Sequence, residues 1–457
     1  MTSRGARLVL AIGVAAWIAN AALLVWRSPA LGFDESQYAN AASDLLDGIP
    51  QRRFYLSAGM EVIAVPGIEL GASDRDMRLL PLCAGLALIA AAWWLARRAT
   101  DATTAAWTVA AIAATRSIAR RGADLLSDIP AAACLVAATA LVVSELTRAD
   151  GPRWRLCAAA PLGAAALYVR YGSCIPIAVI ALAALVLGFP AIRRRPAPAL
   201  ATVALFLVLL VPHALSAIDV TGKPWGLLLD ASSVPGRGYI GDGLVAYVTT
   251  NPIRFYGTVV PPILVAGVLA IGWARDRRRA MLWMCAVGDV LGVGLVSHAE
   301  SRYIFYALVL LIILGVDLIR RMIAAAPGHA RLAIGALAAA ALAWAWLLVA
   351  NASTKYARVR AAETEDITEA IAAIRADDAG APCQLIALHD PPIEWYSGCY
   401  APLRFDPAVL AERRVYAVHD TAPNPEEPDL DALPGHHVVV HDSPRVRVIR
   451  LEPDPSP

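Results

Sequence analysis

Charge is scarce in this chain. Of its 457 residues only 17% are Asp, Glu, Lys or Arg, against 58% that are hydrophobic, and the mean hydropathy is +0.55. Soluble domains carry about a quarter charged residues, so this shortage excludes an ordinary soluble enzyme, and the apolar content excludes a disordered chain. Lysine is nearly absent: Lys223 and Lys355 are the only two among 40 basic residues. That bias, together with the heavy use of alanine, reflects a GC-rich genome and carries no functional weight. The net charge of +2 excludes a global field that would recruit nucleic acid. There is no internal repeat and no ligand spacing of a known metal motif. The stretch Gly236-Arg237-Gly238-Tyr239-Ile240-Gly241-Asp242-Gly243 is rich in glycine but follows no strand, so it is not a nucleotide loop.

What the chain has in excess is long apolar runs. Leu8 to Trp26, after Arg4 and Arg7, runs for about 19 residues, the length of a bilayer span rather than of a signal-peptide core. Ten more runs lie at 79–96, 102–118, 129–146, 156–169, 173–190, 199–218, 257–274, 280–297, 304–319 and 332–350. About eleven transmembrane helices are expected. With the N-terminus cytoplasmic, the loops on that side hold Arg97, Arg98, Arg148, Arg153, Arg155, Arg193 to Arg195, Arg275, Arg277 to Arg279, Arg320, Arg321 and Arg331, with very few acids. The opposite loops mix their basic residues with Asp34, Glu35, Asp44, Asp47, Asp74, Asp76, Asp124, Asp128 and Glu300. The positive-inside rule then gives one consistent orientation, with the N-terminus cytoplasmic and the C-terminal tail on the exoplasmic (periplasmic or extracellular) side.

Two domains follow: a membrane domain over 1–350, with a first exoplasmic loop at about 27–78, and a soluble exoplasmic domain over 351–457. The tail has helical spacing over Ala361–Ala376 and strand-like runs at Gln384–Leu388, Val415–Val418, Val438–Val440 and Val446–Leu451, which reads as a small α/β domain. Thr421 to Pro434 reads as an exposed loop. Cys383 and Cys399 sit in this polar tail and are placed for a disulfide if it faces an oxidising compartment, while the other five cysteines lie in apolar runs. His389-Asp390, His419-Asp420 and His441-Asp442 each close a strand-like run, and a metal there would need a parallel sheet to bring the three ends together.

The first exoplasmic loop opens Gly32-Phe33-Asp34-Glu35-Ser36-Gln37-Tyr38-Ala39-Asn40. Tyr38, Ala41, Ala42, Leu45 and Leu46 share one helical face and Gln37, Asn40, Ser43, Asp44 and Asp47 the other, as in a helix lying in the membrane interface. Asp34 and Glu35 stand at its start. They read either as an N-cap with a neighbour favouring the helix dipole, or as acids that carry chemistry.

The order of short motifs resembles the GT-C membrane glycosyltransferases, the superfamily of the protein O-mannosyltransferases and of the aminoarabinose transferases that modify lipid A. The resemblance runs from the acidic pair Asp34-Glu35 through Gly71 to Pro81, Ser127-Asp128-Ile129-Pro130 and Tyr168-Val169-Arg170-Tyr171-Gly172 to His298-Ala299-Glu300-Ser301-Arg302-Tyr303, about the first 320 residues. It implies an α-helical polytopic GT-C-like fold and transfer of a sugar from a polyprenyl-phosphate donor to an exoplasmic lipid, glycan or protein, with inversion at the anomeric carbon. Asp34 would be the general base, supported by Glu35 and Asp128. Relatives carry a His-Pro or Pro-Pro element in the first loop where this sequence has Arg52-Arg53-Phe54-Tyr55. That departure leaves the acceptor class and any divalent metal open.

The chemistry agrees with such a site. A phosphate leaving group needs little proton donation, so one carboxylate base and cations that hold the departing phosphate suffice. Arg302 with Tyr303 is the first choice for the phosphate, Arg170 the second, and Arg52 or Arg53 the third, because a guanidinium binds phosphate oxygens bidentately. The plain alternatives are a snorkelling Arg302 paired with Glu300 and an Asp128 that caps its helix. At the level of function, the rivals are a lipid-linked-sugar flippase or transporter and a catalytically silent lipid-binding relative.

Overall fold

In a computed structural model of the chain, the residues described are 3–27, 30–49, 56–232, 240–250, 252–273, 276–296, 299–386, 391–402, 406–420, 433–444 and 446–453. Arg52, Arg53, His389, Asp390 and most of the Thr421–Pro434 loop lie outside them. The chain forms two compact units. The first comprises 1–25, 54–60 and 78–354, and the second 26–53, 61–77 and 355–457. Most of the first loop falls in the same unit as the C-terminal residues.

The first unit is all helix. Among the described residues, eight helices are long and apolar enough to cross a membrane: Arg4–Arg27, Asp74–Ala99, Asp128–Leu146, Tyr171–Arg194, Ala197–Thr221, Arg277–Val296, Ser301–Ala325 and Gly328–Ala361. Three shorter apolar helices, Ala102–Ala113, Trp154–Val169 and Val260–Gly272, fall within or close to the remaining runs. The expected span at 102–118 is broken after Ala113, and a separate helix, Arg116–Arg121, follows. Burial ranks the helices. Phe305–Ala325 buries every residue from Phe305 to Leu318, as a helix at the centre of a bundle does. In Ala197–Thr221 only 6% of the apolar window is buried inside the protein, so this helix presents its side chains to lipid.

Glycine sets the closest helix contacts. A Cβ on Gly267 would run into the Leu311 carbonyl, and one on Gly315 into the Ile263 carbonyl, so Val260–Leu269 and Phe305–Ala325 meet backbone to backbone. The buried Trp17 ring lies against Gly85 and Gly122 in the same way.

The second unit contains a four-stranded mixed sheet. Its strands are β1 (Cys383–Leu385), β2 (Arg414–Asp420), β3 (His436–Asp442) and β4 (Val446–Glu452), in the order β1-β2-β4-β3. β1 is parallel to β2, and β4 is antiparallel to both β2 and β3. Side-chain alternation gives each face a core. Tyr416 and Val448 pack with Ile371 and Ile374, and Val415, Ala417, Ile449 and Leu451 pack with Val409 and Leu410 on the other face. Ile371 and Ile374 belong to Gly328–Asp378, a continuous helix of 51 residues that absorbs the helical stretch expected over 361–376. At its end, burial alone would raise the Asp377 carboxyl, but hydrogen bonds from Arg450 and Tyr416 and the charges of Arg450 and Arg414 outweigh it and hold the group below the usual carboxylate range.

Cys383 and Cys399 are joined by a disulfide that closes 16 residues of chain. Loop-closure entropy for a ring of this size amounts to about 3 kcal/mol. The double variant Cys383→Ser/Cys399→Ser should therefore lower the midpoint for unfolding of the second unit, read by protease resistance of the tail during a thermal ramp. An unchanged midpoint would mean that noncovalent contacts alone hold this loop.

Candidate functional site

In the second unit, the helix Phe33–Leu46 starts after an extended Gly32 (φ −84°, ψ −179°), which is its N-cap. Asp34 is thus not the cap: it sits, partly exposed, in the first turn. Glu35, three residues beyond Gly32, carries the capping role, because its Oε2 accepts from the Gly32 N–H at 2.7 Å. The same oxygen is 2.9 Å from Arg360 Nη2, and the Glu35 side chain is 1% exposed. Arg360 in turn lies over the Tyr356 ring at 5.2 Å and presses against Gly32 so closely that a Cβ there would overlap its guanidinium. The acidic pair is therefore divided in use, with Glu35 tied into the fold and Asp34 at the partly exposed position.

The rest of this helix is partly covered by protein. Its polar residues Gln37, Asn40 and Asp44 are buried, whereas Phe33, Leu45 and Leu46 are 52%, 48% and 40% exposed. The reason is a protein partner, the short helix Pro391–Ser397. Asn40 Nδ2 donates to the Pro391 carbonyl and to Glu394 Oε2, both at 3.0 Å. Tyr396 Oη accepts from the Leu31 N–H and donates to Asp74 Oδ2, both at 2.6 Å.

In the first unit, the remaining described candidates come together. Asp128 is the first residue of its helix after Ser127, and its carboxylate, 2% exposed, pairs with Arg170. Arg170 has extended backbone at the end of the helix Ala159–Val169 and lies 4.6 Å from the centre of the Tyr303 ring. Arg302 lies 5.6 Å from the centre of that ring, and its Nε is 2.6 Å from Glu300 Oε2. Two guanidiniums thus lie close to one tyrosine ring, each tied to a carboxylate. The backbone under Arg170 is fixed by Ser57, whose hydroxyl donates to the Val169 carbonyl, and by Gly59, which has no room for a Cβ against Tyr168.

Two members of this cluster escape the sequence reading. Tyr247 Oη donates to the Glu300 carbonyl at 3.1 Å. Burial, with smaller contributions from Tyr256 and Asp289 against the opposing Arg170, pushes its phenol above the ordinary tyrosine range, so it is a neutral donor at pH 7. Asp289, 1% exposed, lies mid-way along Arg277–Val296. The Ala307 N–H is the hydrogen-bond donor nearest its carboxylate, and the Arg170 charge acts on it from further off. Asp289 is a charged residue well away from either end of its helix. Its signal was available, since Asp289 is the only charged residue between Ala280 and Val296. Arg360 and Tyr396 had no such signal, because their partners are hundreds of residues away.

Among the described residues, the only group of donor atoms spaced for a metal is Asp378 with Cys383 and Cys399, and those two sulfurs are bonded to each other. β2 and β3 both run antiparallel to β4 and so parallel to each other, which brings His419-Asp420 and His441-Asp442 to the same end of the sheet beside the start of β4, but among the described residues their donor atoms do not form a group spaced for a metal.

A family model described as dolichyl-phosphate-mannose-protein mannosyltransferase matches residues 62–215. Among solved structures, the chain is similar to ArnT from Cupriavidus metallidurans bound to undecaprenyl phosphate, with a TM-score of 0.69 at 17% identity over 98% of both chains. It is also similar to the oligosaccharyltransferase AglB from Archaeoglobus fulgidus in complex with an inhibitory peptide and a dolichol-phosphate. There the TM-score is 0.61 at 14% identity, covering 89% of this chain and 69% of the other. A comparison with curated proteins gives no match. The chain has the polytopic helical fold of these two solved membrane proteins, as the order of its motifs implied.

Proposed function

We propose that this chain is a glycosyltransferase that moves a sugar from a polyprenyl phosphate to an acceptor lipid, glycan or protein on the exoplasmic side of the inner membrane, with inversion. The observation that carries the reading is the pair of guanidiniums, Arg170 and Arg302, that lie 4.6 and 5.6 Å from the Tyr303 ring centre in a chain of GT-C-like fold. The disulfide in the second unit supports an oxidising, exoplasmic location for the tail.

In this reading the acceptor hydroxyl gives its proton to Asp34 as its oxygen attacks the anomeric carbon. The bond from that carbon to the phosphate oxygen breaks, and the phosphate leaves with the electron pair. Arg302 and Arg170 stabilise the charge that develops on it. Asp128 aligns Arg170, and Glu35 fixes the turn that bears Asp34. The first test is sugar release from a panel of polyprenyl-phosphate sugars by the purified protein in lipid, with and without envelope acceptors.

Arg302→Ala should weaken binding of undecaprenyl phosphate about ten- to a hundredfold, the effect of losing a hydrogen bond between charged partners. Its measure is a titration of the protein in detergent. Arg302→Lys should recover only part of the loss, since an ammonium holds phosphate as a point charge. Unchanged binding in Arg302→Ala would remove Arg302 from the donor site.

One observation favours a second reading. A buried acid within a membrane-spanning helix, such as Asp289, is common in transporters, so a flippase for lipid-linked sugars is the alternative. Donor that crosses the bilayer of a proteoliposome without being consumed, even with acceptors present, would favour it over the transferase.

A further inference from the structure

We propose that Tyr396 is a positioning residue for Asp34, acting through the chain just ahead of the acidic turn. The inference rests on the reading of Asp34 as the base. Two consecutive backbone donors precede the helix Phe33–Leu46, and neither has a helical carbonyl to bond. The Gly32 N–H is taken by Glu35, a residue of the same helix. The Leu31 N–H is taken by Tyr396, 365 residues away in sequence. The phenol can accept from Leu31 and still donate its own proton, which goes to Asp74 Oδ2 at 2.6 Å. One side chain therefore ties the approach to the acidic turn to the first residue of the Asp74–Met77 turn.

The element that delivers Tyr396 is held on several sides. Pro391–Ser397 is a seven-residue helix, too short to be stable alone. Its Pro391, Pro392, Ile393 and Glu394 are buried, Glu394 and the Pro391 carbonyl accept from Asn40, and the whole segment lies inside the loop closed by Cys383 and Cys399. Arg375 also donates to the Tyr396 carbonyl. The phenol is thus fixed at its backbone, and the Leu31 bond transfers that fixity to the turn bearing Asp34.

Tyr396→Phe removes one oxygen and keeps the ring. In the full-length protein in lipid, the Leu31 amide should exchange with solvent about tenfold faster, the size expected for one lost hydrogen bond. The turnover number for sugar transfer should fall about tenfold while the donor KM stays within twofold, since an ill-placed base slows chemistry without loosening the donor. A purely structural tyrosine would not produce that split. Asp74→Asn keeps an acceptor for the phenol and should stay close to the wild type in both readouts. Unchanged Leu31 exchange in Tyr396→Phe overturns the proposal, and so does faster exchange with an unchanged turnover number. If the wild-type protein consumes no donor, the base assignment and the positioning role that rests on it fail together. Leu31 exchange then still decides whether Tyr396 holds this turn.

Discussion

Asp34→Asn should lower the rate of sugar transfer about a thousandfold, within the 10²- to 10⁴-fold range that a positioned base contributes, while leaving the fold and donor binding intact. The fold should survive because Asp34 is not what starts its helix. Gly32 is the cap, and Glu35 satisfies the cap's N–H. Even in a capping role Asn would replace Asp at almost no cost, and losing a charge in the first turn removes only about 0.3–1 kcal/mol of dipole interaction. The substitution thus separates the two readings of this acid cleanly: a structural acid predicts a nearly silent change, and a base predicts lost turnover. Donor binding should be unaffected because the residues assigned to the phosphate are Arg302 and Arg170. The measurement is single-turnover release at saturating donor, beside a thermal melt of the same preparation. Full activity in a folded Asp34→Asn protein would end its assignment as the base.

What could be read from the sequence divides along a physical line. The spans and strands were legible because they depend on local content: apolar runs long enough for a bilayer, and alternation over four to eight residues. The four strand-like runs overlap β1 to β4. Helix ends were less legible where a side chain competes with the backbone. The run 102–118 ends early at Ala113, and Thr115 Oγ1 donates back to the Ala111 carbonyl just beyond the break. The partner of the Phe33–Leu46 helix was not legible because amphipathicity says which residues differ in polarity, not what covers them. Its polar side is buried against Pro391–Ser397, some 350 residues later.

The candidate cluster in the first unit was legible as residue types and not as pairs. Asp128, Arg170, Arg302 and Tyr303 were each marked by a motif, but the pairing of Asp128 with Arg170 and the shared tyrosine depend on helices that no local pattern connects. The two readings of Arg302 are also not exclusive. It pairs with Glu300, as the plain reading expects, and it still lies beside Tyr303 and Arg170. An arginine held by one carboxylate is pre-oriented for a second anion, which lowers the entropy lost when a phosphate arrives.

Arg360→Met should destabilise the second unit by about 3–5 kcal/mol, because it removes the guanidinium that is paired with the buried Glu35 carboxylate. The Gly32 N–H remains as a donor to that carboxylate, but one backbone hydrogen bond does not replace a guanidinium at 2.9 Å. The double variant Glu35→Gln/Arg360→Met removes both charges, and swapping a buried pair for neutral groups is often close to neutral. Gln also keeps an oxygen for the Gly32 N–H. The double variant should therefore regain most of the lost stability in a thermal melt. Its turnover then decides what Glu35 is for. If stability and sugar transfer return together, the pair serves only to hold the turn and Asp34 carries the proton transfer alone. If stability returns and transfer does not, the Glu35 charge itself contributes to the chemistry, and the base is the acidic pair rather than one of its members.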